Sequence, residues 1–171
     1  MRLFVAVWPA PEVVTTLAEL PRPGIDGVRW TKPEQWHVTL RFLGEVTDLD
    51  GALGALDRID VAPMVGTVAE MGPATACFGR HVLQVPVEGL DALAAEVLVA
   101  TGEVGGAPGA PFSGHLTLAR ARSRGIDLRP LAGVAVSVRW PVAAITLVAS
   151  SLGGTGSRYR ILASRLIPGT G

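Results

Sequence analysis

Hydrophobic and polar residues follow two different periods along the first half of the chain. In a strand, successive side chains face opposite sides of the sheet, whereas apolar positions on one face of a helix recur every three to four residues. The apolar positions after Asp48 have helical spacing, and Asp is a residue type that caps a helix N-terminus. Pro9 and Pro11 suit the first turn of an earlier helix. This half is predicted to form strands at residues 2–8, 28–31 and 36–44 and helices at residues 9–20 and 48–59.

The second half of the chain is richer in strands. An apolar segment of Ala, Leu and Val, residues 90–101, is predicted to be a helix that ends before Gly102. The Gly- and Pro-rich connector at residues 102–111 is long enough to be a surface loop near a site. Strands are predicted at residues 64–71, 81–87, 113–121, 134–139, 143–150 and 159–166. The mixture of strands and helices in both halves predicts an α+β protein built from two similar halves.

The composition bounds the size of the protein and the kind of ligand it binds. The 171 residues suit one compact domain or two small lobes that share a core, so residues 1–171 are expected to form a single domain. With 49% hydrophobic and 18% charged residues, the chain can bury a sizeable core. Its 15 basic and 15 acidic residues cancel. Because proteins that grip long duplexes show a basic excess, a small ligand or only the end of a nucleic acid fits better.

Cysteine content and the length of apolar runs indicate the compartment. Cys77 is the only cysteine, so neither an intrachain disulfide nor a thiolate metal cluster is expected. The segment Met1–Pro9 is too short and too strand-like for a signal peptide. Gly, Pro or charged residues interrupt every apolar run before it reaches membrane-spanning length. We expect a soluble, cytoplasmic protein with no membrane partner.

Two of the three histidines stand in the same short motif. The sequence His-x-Thr-Leu begins at His37 and again at His115, 78 residues later, each time inside a predicted strand. Strand alternation puts each His and its Thr, Thr39 or Thr117, on one face and the intervening apolar residues on the other. One His-x-Thr occurs by chance, but two matching copies near half the chain length are hard to dismiss. Two such strands facing each other would surround a small anion with two imidazoles and two hydroxyls.

This residue set suits acid–base chemistry on a phosphate. Imidazole titrates near pH ~6.5, so one ring can be neutral while the other is protonated. The neutral ring accepts a proton from an attacking water and the protonated ring gives one to the leaving oxygen, each transfer contributing on the order of 10²–10⁴ in rate. The threonine hydroxyls can donate to non-bridging phosphate oxygens. Metal binding by His37, His115 and His81 ranks lower because neither motif has an adjacent carboxylate, so no metal and no cofactor are expected.

The tandem motifs resemble those that define the 2H phosphoesterases. In particular, the chain resembles the bacterial and archaeal branch of that family, the RNA 2′,3′-cyclic phosphodiesterases once called 2′-5′ RNA ligases, over nearly its whole length. The resemblance implies two pseudo-symmetric lobes, each an antiparallel sheet with helices on its outer face, and an active-site cleft between the lobes. The segments that carry it are Arg2–Val7, Val28–Trp30, His37–Gly44, Pro111–Phe112, His115–Arg120 and Ser157–Tyr159.

The resemblance implies roles for the four motif residues. His37 and His115 form the acid–base pair, and Thr39 and Thr117 hold the phosphate. We assign His37 as the general acid for the leaving 3′-oxygen and His115 as the base for water, although the symmetry of the motifs does not distinguish the two directions. The product would be a 2′-phosphate. Attack by an RNA 5′-hydroxyl in place of water would form a 2′-5′ linkage by the same kind of chemistry.

Three further residues are candidates for substrate binding. Phe42 and Arg120 each follow their histidine by five residues, and the resemblance implies that they clamp the terminal base between a ring and a guanidinium. Strict alternation would turn both away from the histidines, so a bulge or a strand end has to re-aim them. Core packing for Phe42 and a solvated strand end for Arg120 are the alternatives. Arg41 shares the predicted face of His37 and Thr39 and is a secondary phosphate candidate.

Several other conspicuous residues are expected to be structural. Trp30 and Trp36 flank the first motif strand and are predicted to pack against it, and His81 is predicted to lie at a strand edge. Tyr159 is predicted to lie in the core or between the lobes. The connector at residues 102–111 either gates the cleft or is a plain linker.

The expected partners are RNA ends or small cyclic nucleotides, bound by a monomer. The leading function is metal-independent hydrolysis of RNA 2′,3′-cyclic phosphate ends to 2′-phosphates, with 2′-5′ RNA ligation as a further activity of the same chemistry. Two alternatives stay open. One is a phosphodiesterase for a small non-RNA cyclic phosphate such as ADP-ribose 1″,2″-cyclic phosphate. The other is a non-catalytic protein that binds RNA ends, which is disfavoured because binding alone needs no matched acid–base pair.

Overall fold

The computed structural model describes residues 1–154 and 156–169, which contain three α-helices and ten β-strands. The helices are α1 (Pro11–Ala18), α2 (Leu49–Asp57) and α3 (Asp91–Ala100). The strands are β1 (Arg2–Val7), β2 (Val28–Trp30), β3 (Val38–Glu45), β4 (Val68–Met71), β5 (Ala76–Phe78), β6 (Val82–Glu88), β7 (His115–Ala121), β8 (Val138–Pro141), β9 (Ala144–Gly153) and β10 (Gly156–Leu166). This content confirms the predicted α+β class.

The strands form two antiparallel lobes that meet at the two motif strands. The strand order is β10-β9-β1-β3-β7-β6-β4-β8, with β2 paired to β7 and β5 paired to β6. In the described residues, β3 and β7 share a single backbone pair, Val38 with Leu116. The two lobes are therefore joined through this one pair, and the main strand order continues through three further strands on each side, β1, β9 and β10 beyond β3 and β6, β4 and β8 beyond β7.

Each lobe combines segments from both ends of the chain. The C-terminal strands β9 and β10 complete the lobe of β1 and β3, whereas β2 joins β7 in the other lobe. The lobes therefore do not correspond to the first and second halves of the sequence, which the motif spacing had suggested. α2 packs on β9 and β10, α3 packs on β3, and α1 packs on β8.

β1 shows how the sheet separates the core from the cleft. Leu3, Val5 and Val7 belong to the main hydrophobic core on one face of the sheet. Phe4 and Ala6 point the other way and form a second small cluster with Val148, on which Trp8 and Tyr159 pack. An aromatic layer consequently covers the cleft side of the first lobe.

The predicted elements agree with the structure best where a local signal is strong. The side chain of Asp48 accepts a hydrogen bond from the Gly51 amide at 2.8 Å, which confirms the predicted cap of α2. The strand predicted at residues 64–71 begins only at Val68, because a 3₁₀ turn occupies Ala62–Met64. β5 was not predicted at all. In the described part of the chain, no helix is both long enough and apolar enough to cross a membrane.

Candidate active site

The structure brings the two motifs together at the junction of the lobes. His37 directly precedes β3, which carries Thr39, and His115 begins β7, which carries Thr117. Val38 and Leu116, the single backbone pair between these strands, are buried in the core. Because side chains alternate along a strand, the His and Thr on either side of each paired residue face the opposite side of the sheet. All four line one cleft of about 750 Å³. Two copies of the pattern therefore build a single site.

Both motif histidines are held in the same way. The Nδ1–H of His37 donates to the carbonyl oxygen of Gln35 at 2.7 Å, and the Nδ1–H of His115 donates to that of Ser113 at 2.8 Å. Because a carbonyl only accepts, this bond fixes the proton of a neutral ring on Nδ1. At His37 the hydroxyl of Thr39 then donates to Nε2 at 3.1 Å. Each ring is thus oriented to accept or give a proton through Nε2.

Aromatic side chains surround the ring of His37. The ring centroids of Phe4, Trp8 and Tyr159 lie 4.9, 5.3 and 5.0 Å from that of His37. Trp8 is fixed by a hydrogen bond of 2.8 Å from its indole nitrogen to the hydroxyl of Thr146. This wall is the outer surface of the small cluster on the cleft face of β1, and it shields the imidazole from water.

Burial makes His37 a much weaker base than an exposed histidine. Desolvation behind the aromatic wall lowers the pKa of His37 from 6.5 to about 4. The hydrogen bond to the Gln35 carbonyl opposes this effect, and the nearby charges of His115 and Arg120 add to it. His37 is therefore neutral at pH 7 in the free protein.

A different aromatic residue meets His115. Phe78, at the end of β5, presents its edge to the His115 ring with the centroids 4.6 Å apart and the planes at 80°. Phe78 is 41% exposed and does not itself line the cleft, so it packs beside the His115 ring and outside the core. The sequence analysis missed Phe78 because no strand was predicted there. The only available signal was the short apolar run Ala76–Phe78 ahead of Gly79.

Each motif strand contains a β-bulge directly after its threonine. In the register between β1 and β3, the paired residues jump from Thr39 to Arg41. In the register between β6 and β7, they jump from Thr117 to Ala119. The intervening leucines, Leu40 and Leu118, have no register partner in these two strand pairs. Each leucine and the residue after it are buried. A bulge of this kind reverses which face the rest of the strand presents.

The bulges turn Phe42 and Arg120 onto the cleft face. Both side chains are exposed, Phe42 by 65%, and both line the same cleft as the histidines. The expectation that a bulge has to re-aim them is confirmed. Core packing, the alternative for Phe42, is wrong. The structure therefore places an aromatic ring and a guanidinium on the walls of one cavity.

The prediction that Arg41 shares the face of His37 is wrong, because the bulge turns it toward the core. Arg41 is only 6% exposed, and its guanidinium donates to the carbonyls of Leu98 at 3.3 Å and Gly106 at 3.2 Å and to the hydroxyl of Thr101. Leu98 lies in the last turn of α3, where unpaired carbonyls attract a cation. Arg41 thus fastens α3 and the following connector to the back of β3.

The connector at residues 102–111 lies away from the cleft. The amide of Gly106 donates to the carbonyl of Leu43 at 2.9 Å, and Gly105 packs so closely on that carbonyl that a Cβ would collide with it. Gly105 also has a positive φ of 73°, which glycine adopts readily. Of the two alternatives for this segment, a linker along the edge of β3 fits the structure, since none of its residues lines the cleft.

Tyr159 lines the cleft and also packs on the small cluster of Phe4, Ala6 and Val148, so its predicted core position is confirmed in part. It belongs to the edge strand β10 and shares a face with Ser157, and both line the cavity. Trp36, in contrast, is 1% exposed and donates its indole hydrogen to the hydroxyl of Thr31 at 2.9 Å, which confirms its packing role.

The third histidine stands apart from the other two. The Nε2 of His81 is 3.0 Å from the carbonyl oxygen of Arg124, and the side chain does not line the cleft. Within residues 1–154 and 156–169, no three His, Cys, Asp or Glu side chains form a group that could hold a metal ion. His81 is therefore a natural control for experiments on the cleft histidines.

A family of known proteins matches part of the sequence. Residues 7–71 match the family described as LigT like Phosphoesterase. This segment contains the first motif and ends before the second. No curated protein matches the chain significantly.

Crystal structures extend the likeness to nearly the whole chain. The protein TT0787 of Thermus thermophilus is 28% identical, with 99% of each chain covered and a TM-score of 0.77. LigT of E. coli, crystallised with NADP+, is 25% identical over 97% of each chain, with a TM-score of 0.69. Another crystal structure of E. coli LigT contains 3′-AMP. The PDE domain of MHV ns2 is 17% identical over 95% of this chain and 99% of its own, with a TM-score of 0.60, which shows a common fold alone.

Proposed function

We propose that this protein is a LigT-like phosphoesterase of the 2H superfamily, and that it hydrolyses RNA 2′,3′-cyclic phosphate ends to 2′-phosphates without a metal ion. The observation that carries the proposal is the matched geometry of His37 and His115. Each ring is anchored through Nδ1 to a carbonyl two residues upstream, and each shares the cleft with the threonine of its motif. Such a pair suits a reaction that removes one proton and delivers another.

The proposed reaction is the opening of a five-membered cyclic phosphate by water. As water attacks the phosphorus, the neutral imidazole takes its proton and the bond between phosphorus and the 3′-oxygen breaks. The protonated imidazole gives its proton to that oxygen, so the product carries a 2′-phosphate and a 3′-hydroxyl. The hydroxyls of Thr39 and Thr117 donate to the non-bridging oxygens, where charge accumulates in the transition state. Proton exchange with solvent then restores the pair.

The direction of proton transfer has an argument on each side. The sequence-based assignment of His37 as acid and His115 as base stays a prediction. The pKa of about 4 for His37 argues for the reverse, since a ring that is neutral at pH 7 is ready to act as a base. A bound phosphate anion raises that pKa, because an opposite charge favours the protonated ring. A lowered pKa also weakens the ring as a base, so both directions of proton transfer need to be tested.

A leaving-group experiment distinguishes the two directions. The p-nitrophenolate group of bis(p-nitrophenyl) phosphate departs without being protonated, so loss of the general acid matters little for this substrate. With His37 as base, His37→Ala should lose on the order of 10²–10⁴ in kcat on both this ester and a cyclic phosphate. His115→Ala should lose that factor on the cyclic phosphate alone. The reverse pattern would restore the sequence-based assignment.

The cleft also suits the end of a nucleotide. Its volume of about 750 Å³ is in the range of small-ligand sites. Phe42 and Arg120 line its wall and offer an aromatic face and a cation, the two groups on which bases stack. The presence of 3′-AMP and NADP+ in crystals of E. coli LigT supports a nucleotide ligand for this chain as well. We propose that the pair clamps the terminal base.

The first experiment is hydrolysis of a short RNA that ends in a 2′,3′-cyclic phosphate, with EDTA present. We expect the wild type to form a 2′-phosphate end, identified by ³¹P NMR and by a mass gain of one water. His37→Ala and His115→Ala should be inactive but folded. His81→Ala is the matched control, because it removes an imidazole outside the cleft and should leave the rate unchanged.

Three outcomes would redirect the proposal. Loss of wild-type activity in EDTA would indicate a metal-dependent reaction. Activity on ADP-ribose 1″,2″-cyclic phosphate without activity on RNA ends would favour the non-RNA substrate. If the wild type is inert on RNA ends and on every small cyclic phosphate, but binds them, the protein is a binding module that retains the fold.

A further inference from the structure

Two arginines lie directly opposite each other beside the cleft. In the antiparallel pair of β2 and β7, Arg29 is the register partner of Arg120. Directly opposed residues of an antiparallel pair project from the same face of the sheet. Arg120 lines the cleft, so Arg29 also projects from the cleft face. Like charges in this position repel each other, which makes an arginine pair an unfavourable choice unless an anion lies between them.

No acidic side chain neutralises this pair in residues 1–154 and 156–169. The ion pairs formed by arginines there join Arg80 and Arg129 to Asp127, and Arg139 to Glu70, all away from the cleft. Arg29 and Arg120 take part in none of them. The two guanidiniums therefore keep their full positive charge for a ligand that enters the cleft.

The side chain of Arg29 extends from β2 in one lobe to Gly156 at the start of β10 in the other lobe. A Cβ added to Gly156, at the start of β10, would lie 3.0 Å from Nη1 of Arg29 and 3.8 Å from Nε2 of Gln35. Gln35 in turn donates to the carbonyl of Ser157 at 2.8 Å. Gly156 thus leaves room for the arginine, and the neighbouring wall is already organised by hydrogen bonds. Arg29 itself is half-buried, which limits the number of conformations it can adopt.

Arg29 lies beyond the group that the motif residues would hold. Arg120 lies two register positions beyond Thr117, because Thr117 pairs with Gln84 and Arg120 with Val82 across the bulge, which corresponds to about 7 Å along the strand at ~3.3 Å per residue. Arg29 lies one strand farther to the side. A second anionic group, connected to the first through a nucleoside, would reach this position when the cyclic phosphate lies between the histidines.

We propose that Arg29, which lies beside the base-stacking Arg120, binds the phosphodiester that joins the terminal nucleotide to the rest of an RNA chain. This inference rests on the proposed function and narrows its substrate class: the preferred substrate is an oligonucleotide end and not a cyclic mononucleotide. Recognition of one internal phosphate also agrees with a chain whose net charge is zero, since a single phosphate needs only a local pair of cations.

The test compares two substrates in one enzyme. We expect the wild type to have a kcat/KM about tenfold higher for a dinucleotide ending in a 2′,3′-cyclic phosphate than for the matching cyclic mononucleotide, the ratio typical of one charged hydrogen-bonding contact. Arg29→Gln should bring that ratio close to one, and Arg29→Lys should keep part of it. Arg158→Gln is the control, because Arg158 lies over Gly153 on the other face of the β9–β10 hairpin. The control should keep the wild-type ratio.

Neutralising the substrate provides an independent check. A dinucleotide with an uncharged methylphosphonate linkage should lose the preference in the wild type and should be insensitive to Arg29→Gln. If the wild type hydrolyses the dinucleotide and the mononucleotide with equal kcat/KM, or if the methylphosphonate is as good as the phosphodiester, the inference is overturned while the proposed function stands. If the wild type hydrolyses neither, the proposed function itself has failed.

Discussion

Replacing His37 by Gln should make the folded protein less sensitive to acid. In the unfolded chain the imidazole takes up a proton near pH 6.5, but in the fold its pKa is about 4. Between these values the unfolded state binds more protons, so the free energy of unfolding rises with pH. The stability contributed by neutral His37 is fully present above pH 6.5 and is lost as the pH falls toward 4. The full difference corresponds to about 3 kcal/mol.

Urea denaturation followed by tryptophan fluorescence measures this contribution. Between pH 7.5 and pH 4.5, the wild type should lose about 2.5 kcal/mol more than His37→Gln, because carboxylate titrations affect both proteins and cancel in the comparison. His81→Gln controls for removal of an imidazole outside the cleft. If the wild type and His37→Gln lose the same stability, the aromatic wall does not desolvate His37 and the argument from its lowered pKa is refuted.

The same pKa can be observed directly, since the chain has only three histidines and their imidazole signals in an NMR titration are few. His37→Gln identifies the signal of interest by its disappearance. Adding inorganic phosphate should move the titration midpoint of His37 upward, because an anion between the motif residues stabilises the protonated ring. A midpoint that stays the same at saturating phosphate would show that the anion binds elsewhere.

Four further variants test the remaining roles. Arg41→Met should lower the free energy of unfolding by about 2 kcal/mol or more, since it leaves carbonyls at the end of α3 without their donor. Its kcat/KM should stay within about twofold of wild type. A large loss of kcat/KM with normal urea stability would instead support the prediction that Arg41 binds the phosphate. Thr39→Val and Thr117→Val should each lower kcat by about 10–100-fold in the cyclic phosphate assay. The matching serine variants, which retain the hydroxyl, should keep most of the wild-type kcat. Full activity in a valine variant would contradict a role for that hydroxyl. Phe78→Leu should lower kcat/KM by roughly 2–10-fold, because it removes the aromatic contact with His115. Its thermal stability should be unchanged because the ring is partly exposed. An unchanged kcat/KM would show that Phe78 has no role in catalysis.

The sequence predicted best what strand periodicity and repetition encode locally. The pairing of His37 with Thr39 and of His115 with Thr117 needs only a period of two, and both pairs line the cleft. The cap of α2 by Asp48 is equally local. These features could be predicted because each depends on residues close together in the chain.

Features that depend on distant segments could not be predicted. Tyr159 reaches the ring of His37 only because β10 pairs with β9 and β9 pairs with β1, a topology that no local pattern reveals. Phe78 was hidden in a three-residue strand. Arg41 was assigned to the wrong face because a bulge adds one residue to the alternation, and its exact position depends on the neighbouring strand.

The bulges explain why two nearly identical motifs build an asymmetric site. In both strands the bulge lies at the same distance from the motif histidine, so the fifth residue after each histidine faces the cleft. That position holds a ring in one strand, Phe42, and a cation in the other, Arg120. The residue that follows the bulged leucine is Arg41 in β3 and the small Ala119 in β7, and Arg41 donates a hydrogen bond to a carbonyl of α3 that Ala119 has no side-chain donor to match. The repeated backbone therefore supplies matched histidines, while the residues around each bulge distinguish a desolvated, aromatic side of the cleft from a cationic side. A substrate with an aromatic base and two phosphates matches these two sides of the cleft, and the dinucleotide experiment on Arg29 tests the cationic side directly.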